Sequence, residues 1–250
     1  SWNKNEIIEL AANAVNPVTG EALNLTKLDI KGLGKAKYIL KEGGTLGDLY
    51  TTSNLRFNDN GYVEVDKNGN LLMTDEGEDI YLGSVFPNHN LAWRNDFSYK
   101  GINLGVLFTA RLGGVCYSAT QANLDLYGVS EASAAARDAG GVLINGREMV
   151  DAQKWYQAIG SQSGLPQYYL YSATNVRLQE LSLGYTFPRK WFRNKLGLTV
   201  SFVGRNLWMI YCKAPCDPEA VASTGLNYQG IDYFMMPSMR NLGFNVKFQF

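Results

Sequence analysis

Few residues in this chain have the types and spacing that support chemistry. Asp66-x-Asn68-x-Asn70 places oxygens at alternate positions, as the start of a calcium loop does, and Asp75, Glu76, Glu78 and Asp79 lie close behind. Leu71 stands where an EF-hand needs glycine, and Gly77 takes the twelfth position where it needs glutamate. A bound Ca²⁺ or Mg²⁺ therefore competes with a simple polar Asn-Gly turn. Cys212 and Cys216 could close a small loop as a disulfide in an oxidising compartment or stand as two free thiols, with Cys116 unpaired in both readings. The single histidine, His89, lies in Phe86-Pro87-Asn88-His89-Asn90, a polar turn by composition. One histidine excludes a H-E-x-x-H zinc motif and leaves only one candidate base for a Ser–His or Cys–His pair. There is no Walker A loop and no G-x-S-x-G elbow, and Gly32-Leu33-Gly34 lacks the third glycine of a dinucleotide loop. The expectation is a protein that is not an enzyme and holds no cofactor beyond that one candidate ion.

Composition narrows the class further. Lys+Arg and Asp+Glu are equal at 23 each, so the formal net charge is zero, where a nucleic-acid binder usually shows a basic excess. Hydrophobic residues make up 46% and charged residues 18%, too apolar for a disordered chain. No apolar run approaches the roughly 18 residues of a membrane-spanning helix. The start, SWNKNEIIEL, lacks the basic and apolar regions of a signal peptide.

The elements that would position any site are strands. Ile102, Leu104, Val106, Phe108, Ala110 and Leu112 alternate with Asn103, Gly105, Thr109 and Arg111, with Leu107 as the one apolar interloper. Leu91, Trp93, Phe97 and Tyr99 alternate with polar neighbours just before, as do Leu181, Leu183, Tyr185 and Phe187 later. Leu198, Val200 and Phe202 repeat the pattern, and Leu242, Phe244, Val246, Phe248 and Phe250 give its clearest form. Period two means one greasy and one polar face per strand. A weaker sixth span is expected around Gly44–Leu55, continuing from Lys37-Tyr38-Ile39-Leu40.

A soluble β-sandwich and a membrane barrel both alternate, so other features decide. Residues 101–112 would extend about 40 Å at ~3.3 Å per residue, enough to cross a hydrocarbon layer of about 25–30 Å when tilted. Short connections (Lys100-Gly101 and Pro188–Leu196) lie on one side, and long ones (about 61–84, 120–172 and 213–237) on the other. Tyr99, Phe187, Trp191 and Phe192 gather at the short-turn ends, with Trp208 and Tyr211 at the long-loop ends, like interfacial girdles. These grounds favour a membrane barrel; the alternative is a soluble or surface β-rich adhesion or binding module. Five strands, or six, fall short of the eight in small barrels, and an open edge cannot face lipid. The remainder of the barrel would then come from outside this sequence.

The stretch Arg177-Leu178-Gln179-Glu180-Leu181-Ser182-Leu183-Gly184-Tyr185-Thr186-Phe187-Pro188 resembles the R-L-x-x-L-S-L-G-Y-x-F-P block of SusC/RagA-type TonB-dependent outer-membrane transporters. Gly204-Arg205-Asn206-Leu207-Trp208 is similar to that family's G-x-N-L-W segment. The strand ending in Phe250, with Phe244 and Phe248, resembles its terminal strand, which the barrel-insertion machinery reads. Asp66–Asn70 through Leu82-Gly83 more loosely resembles its D-x-N-G-D-G…I-G stretch, with Leu71 in place of the second glycine. The resemblance covers most of residues 37–250 and implies all-β architecture: C-terminal antiparallel strands of a large transmembrane barrel in the bacterial outer membrane. Residues 1–36 would be a connection or strand end from the upstream barrel, and 37–250 the C-terminal strands and loops, with plug and N-terminal barrel absent. The family implies import of glycans or oligopeptides, energised through the TonB system, with a SusD-like lipoprotein lid, the rest of the barrel and plug, and outer-membrane lipids as partners. It also places turns 100–101 and 188–196 on the periplasmic side and the long loops outside.

Within that frame, Arg94, Arg111, Glu180 and Arg205 are candidates for lumen contact with plug or substrate. In the long loop, Ser130 caps a helix expected over Glu131–Ala139, ended by Gly140-Gly141, and Asp151 caps another carrying Trp155 and Tyr156. Trp155, Tyr156, Tyr168, Tyr169, Tyr228 and Tyr233 are candidates for stacking on substrate or lid, against the alternative that the loops pack on themselves. Arg189, Lys190, Arg193 and Lys195 could meet phospholipid headgroups or simply be solvated.

Overall fold

The computed structural model describes residues 1–250 except 12, 13, 24, 75, 76, 221, 224, 226 and 227. In chain order its elements are β1 (Lys27–Leu33), β2 (Ala36–Lys41), β3 (Asp48–Thr51), β4 (Ile80–Ser84), β5 (His89–Tyr99), β6 (Ile102–Leu112), β7 (Val115–Ser118), α1 (Ala119–Leu126), α2 (Glu131–Asp138), β8 (Val142–Ile144), β9 (Glu148–Val150), α3 (Ala152–Ile159), β10 (Leu170–Ser172), β11 (Asn175–Thr186), β12 (Gly197–Cys212), β13 (Ile231–Asp232) and β14 (Asn241–Gln249). The fold is all-β, with short helices confined to one long connection.

The alternating segments form one five-stranded antiparallel sheet of order β14-β12-β11-β6-β5, a meander in which chain neighbours are sheet neighbours. Lys100 and Gly101, at φ 48° and 89°, both adopt the left-handed backbone that a two-residue hairpin needs to match strand twist. Pro188–Leu196 makes the other short turn around a 3₁₀ turn at Arg189–Phe192. Residues 113–174 and 213–240 leave from the opposite end, so the asymmetry expected from sequence is present.

Register carries the apolar residues across all five strands. Trp93 pairs with Phe108 and stacks on it at 5.7 Å; Leu183 lies between Leu104 and Phe202, and Phe202 pairs with Phe244. Three irregularities, one of them between Val176 and Arg177 against β12, keep the faces true where strict alternation would fail. Against β6, Gln179 is an extra residue between Leu178 and Glu180, so Arg177 and Glu180 both reach the polar face while Leu178 and Leu181 stay on the apolar one. The third lies at Asn206, whose φ of 51° lets Arg205 sit opposite Glu180 and Trp208 opposite Leu178. On β12, Leu198 and Trp208 are ten residues apart, about 33 Å along the strand at ~3.3 Å per residue, a length that the ~40° tilt of a barrel strand would project to about 25 Å.

The buried core lies elsewhere. Tyr38, Leu49, Leu55, Tyr117, Ala119, Ala122, Ile159, Leu165, Tyr169 and Ile231 pack into one cluster, and every one of them belongs to the long connections or to the segment before β5. Around it stand a four-stranded sheet (β1-β2-β3-β4), a three-stranded sheet (β10-β7-β13, with β13 parallel to β7) and the three helices. This body sits at the long-loop end of the five-stranded sheet.

Two expectations are corrected. The sixth span near Gly44–Leu55 is not part of the large sheet: Asp48, Leu49, Tyr50 and Thr51 form β3, buried on both faces inside the loop-end body. The division at residue 36 falls in the β1–β2 hairpin, where Leu33 pairs with Ala36, so residues 27–36 belong to the same four-stranded sheet as β2, β3 and β4.

Candidate functional site

The functional feature is a wall with two chemically opposed faces. On the apolar face Phe97, Tyr99, Leu183, Trp208, Leu242 and Phe244 are all exposed, although they are among the largest hydrophobic side chains present. At the short-turn rim, Tyr185 and Phe187 meet edge-on at 5.0 Å and Trp191 lies 5.8 Å from Phe187. Sheet edges are open as well: β14 bonds only to β12, and β5 bonds to β6, with one bridge from Trp2 to His89 on its other side among the described residues.

On the polar face, three of the four candidate charges converge. Arg94 Nε donates to Asp96 at 2.9 Å and Arg94 Nη1 lies 3.6 Å from Glu180, while Arg205 Nε donates to the other Glu180 oxygen at 2.9 Å. Glu180 thus bridges two arginines from strands on either side. Nearer the short turns, Ser98 donates to Asn103, Asn103 donates to Thr186, and Thr186 meets Thr199 at 3.1 Å, a polar ladder over four strands. Arg111 stands apart, donating to the Val85 carbonyl at 3.3 Å, and so ties β6 to the loop-end body.

A clasp that sequence reasoning did not select joins the wall to its last connection. Arg177 donates twice to Asp217, at 2.8 and 3.3 Å, and its Nε donates to Asn175 Oδ1 at 3.1 Å. Asp217 also accepts from Ser238 and from the Glu219 backbone N–H at 3.0 Å. Burial pushes the Asp217 carboxyl up, but the hydrogen bonds from Arg177 and Ser238 outweigh it and hold it below the usual carboxylate range. Arg177 carried a signal, as the first residue of the R-L-x-x-L-S-L-G-Y block; Asp217 carried none.

The loop aromatics divide. Tyr169 is buried in the core, which corrects its assignment as a contact residue: the Pro166–Tyr169 turn folds its ring inward. Trp155 and Tyr156 also pack against that core, Trp155 meeting Tyr168 edge-on at 5.9 Å. Tyr168, Tyr228 and Tyr233 remain exposed, and Tyr233 sits edge-on to Phe234 at 5.2 Å. In the terminal strand, Phe244 and Phe248 share the apolar face with Phe202, and Phe250 ends the chain fully exposed.

The oxygens of Asp66-x-Asn68-x-Asn70 are already engaged. Asp66 accepts the backbone N–H of Asn68 and Asn70, each at 2.8 Å, and the Asn70 side-chain amide, and these bonds, that from the Asn70 backbone first, lower its pKa. The Lys154 ammonium donates to the Asn68 carbonyl, placing a positive charge where a cation would sit. Asp79 pairs with Lys27 at 2.8 Å, and Asp75 and Glu76 lie outside the described residues. Among the described residues no group of three or more acidic, cysteine or histidine side chains is placed to hold a metal.

Of the two readings left open for Cys212 and Cys216, the geometry presents free thiols rather than a disulfide. The Cys212 thiol points to the backbone carbonyls of Ala214 and Cys216, at 3.7 and 3.8 Å, and all three cysteines are free. The Cys216 thiol instead meets that of Cys116.

No family model matches the chain. A TonB-dependent receptor P3 of Formosa agariphila is 24% identical over 99% of this chain, and the chain spans 26% of that protein's length. A structure of the RagAB peptide transporter superposes with a TM-score of 0.52 at 19% identity, covering 91% of this chain and 25% of the solved one. The RagAB peptide importer in its open-open state gives 0.56 at 17% identity, covering 99% and 25%. The likeness to these structures is one of fold, and it is the likeness of a part to a whole: this chain spans about a quarter of the length of each protein it matches.

Proposed function

We propose that this chain forms wall and outward loops of an outer-membrane importer for oligomeric nutrients, glycans or oligopeptides, of the SusC/RagA type. One observation carries the reading: the large sheet has an apolar face that no protein covers, while the buried core lies apart from it in the loop-end body. A soluble sheet covers its greasy face with protein. Here lipid is the matching phase, in a band about 25 Å tall, and the opposite face meets the hydrated lumen. Likeness to a protein named a TonB-dependent receptor supports an importer energised through TonB. Likeness to RagAB, a peptide transporter, supports a peptide cargo, and the resemblance to SusC keeps glycans as the other candidate. Open edges at β5 and β14 pair with further strands of the same barrel, since unpaired backbone cannot face lipid. The short turns lie in the periplasm and the loop-end body lies outside, where Tyr168, Tyr228 and Tyr233 reach cargo or a SusD-like lipoprotein lid. Arg94, Glu180 and Arg205 line the lumen toward plug or cargo.

The test uses single reporter cysteines in the complete transporter, in the outer membrane. Labels at Leu183 and Phe244 are expected to respond to lipid-dissolved quenchers, and labels at Ser182 and Asn245 to aqueous ones. Refolding of this chain alone in buffer to a sharp soluble monomer with protected amides would overturn the reading in favour of a soluble binding module. Uptake of labelled glycans and of labelled oligopeptides by cells carrying or lacking the transporter separates the cargoes.

A further inference from the structure

We infer that Cys116 and Cys216 form a disulfide that staples the last outward loop to β7. The pairing follows from the register of the loop-end body. On β7, Cys116 and Ser118 point the same way, with Tyr117 between them turned into the core. Ser118 donates to Asp232 at 2.7 Å, and Ser118, Cys216, Asp217 and Asp232 line one cavity of about 260 Å³. That face of β7 is therefore the face that Cys216 approaches, closely enough for each thiol to perturb the other. Cys216 does not drift there freely, because its neighbour Asp217 is clamped by Arg177. Cys212, although only four positions from Cys216, turns its sulfur to backbone carbonyls instead.

The two thiols are unequal in a way that orders the chemistry. Cys116 is buried, whereas Cys216 is partly exposed on the cavity. The contact with Cys116 lowers the pKa of the Cys216 thiol and raises that of Cys116, which burial raises further. The oxidant is the disulfide of a thiol oxidoreductase in the periplasm. Cys216 thiolate attacks one oxidant sulfur, the oxidant S–S bond breaks, and its other sulfur leaves and takes a proton. Cys116 then gives up its proton and attacks Cys216 Sγ, forming the protein disulfide and releasing the second oxidant thiol. Two protein thiols are oxidised and one oxidant disulfide is reduced. The oxidising surroundings rest on the outer-membrane placement proposed above; the choice of partners rests on the face of β7 that Cys116 shares with Ser118, on the cavity that Ser118 and Cys216 line together and on the clamp at Asp217.

The experiment is peptide mapping of the transporter, isolated without reductant from the outer-membrane fraction and alkylated while denatured. A cross-linked peptide pair joining Cys116 to Cys216, lighter by two hydrogens than the separate peptides, with Cys212 alkylated, is the expected result. The Cys212→Ser variant is expected to keep the cross-link. Cys116→Ser, like reductant on the wild type, is expected to raise protease cleavage within residues 213–230 several-fold. Three separately alkylated cysteines, or a Cys212–Cys216 cross-link, would overturn the inference and leave the transport reading standing. Absence of the protein from the membrane fraction would count against that reading instead, and oxidised glutathione added to the purified native protein would still decide the pairing: Cys116–Cys216 supports it, any other pair sinks it.

Discussion

Arg177 and Asp217, 40 residues apart in sequence, form a two-point ion pair with side chains only 3% and 6% exposed. Arg177 belongs to a strand of the wall and Asp217 to the connection that leads from β12 to β14, so one contact fixes the loop to the barrel. Asn175, Ser238 and the Glu219 backbone supply further hydrogen bonds to the pair. A buried charge pair holds only under such satisfaction, because either ion alone pays several kcal/mol of lost hydration.

Arg177→Ala leaves the Asp217 carboxylate buried without its ion-pair partner and is expected to destabilise the loop-end packing by about 3–5 kcal/mol, whereas Asp217→Ala leaves Arg177 the half-exposed Glu219 at 3.5 Å and is expected to cost less. Arg177→Lys restores charge but not the fork, so it recovers only part of the loss. Limited proteolysis within residues 213–240, together with urea midpoints of the detergent-solubilised transporter, reads both effects.

The same pair sets a pH response. The folded-state pKa of Asp217 lies below its unfolded value of about 3.9, so its contribution is fully present above that pH and is lost as pH falls through the lower, folded value. Protease sensitivity of this loop is therefore expected to stay flat from neutral pH down to about pH 4 and to rise below it. In Asp217→Asn the rise disappears, with sensitivity already high at neutral pH.

Asn206 offers a backbone test. Its φ of 51° is left-handed, a conformation that costs most L-residues about 1–2 kcal/mol and that asparagine and glycine tolerate. Asn206→Gly is expected to be nearly neutral. Asn206→Val is expected to lose about 1–2 kcal/mol and to disturb the register that sets Arg205 against Glu180. Unfolding midpoints of the two variants, compared with Leu207→Val as a neighbour control, separate backbone strain from simple loss of a side chain.

The large sheet was legible because each strand has one apolar and one polar face, so alternation ran through β5, β6, β11, β12 and β14. The caps were legible too: Ser130 accepts from the Ser133 N–H and Asp151 from the Lys154 N–H, as their positions before helical runs required. The hidden features share a physical cause. β3 is buried on both sides, so Asp48-Leu49-Tyr50-Thr51 shows no alternation to read. Helix α1 begins at Ala119, capped by Ser118, the last residue of β7, with no loop to announce it. Short spacing drew attention to Cys212 and Cys216, whereas the contact that forms spans 100 positions and depends on how the loops fold over β7. Tyr169 belongs to a run of tyrosines whose division into buried and exposed members only packing decides.

The two faces of the wall should respond very differently to the same added charge. Leu183 and Ser182 are adjacent on β11, Leu183 on the exposed apolar face beside Leu104 and Phe202, Ser182 beside Gly105 and Val203 on the polar one. An arginine placed at Leu183 meets hydrocarbon near mid-band and is expected to cost about 2–4 kcal/mol of folding free energy in a bilayer. An arginine at Ser182 meets a hydrated surface already carrying Arg94, Asp96, Glu180 and Arg205, and is expected to cost under about 1 kcal/mol. Glu180→Gln belongs with the second class: it removes the bridge between Arg94 and Arg205, but both arginines remain solvated and Arg94 keeps Asp96 at 2.9 Å. Reversible unfolding of the complete transporter in lipid vesicles checks the order Leu183→Arg far above Ser182→Arg and Glu180→Gln. Equal costs for arginine at Leu183 and Ser182 would mean that the apolar face does not meet lipid.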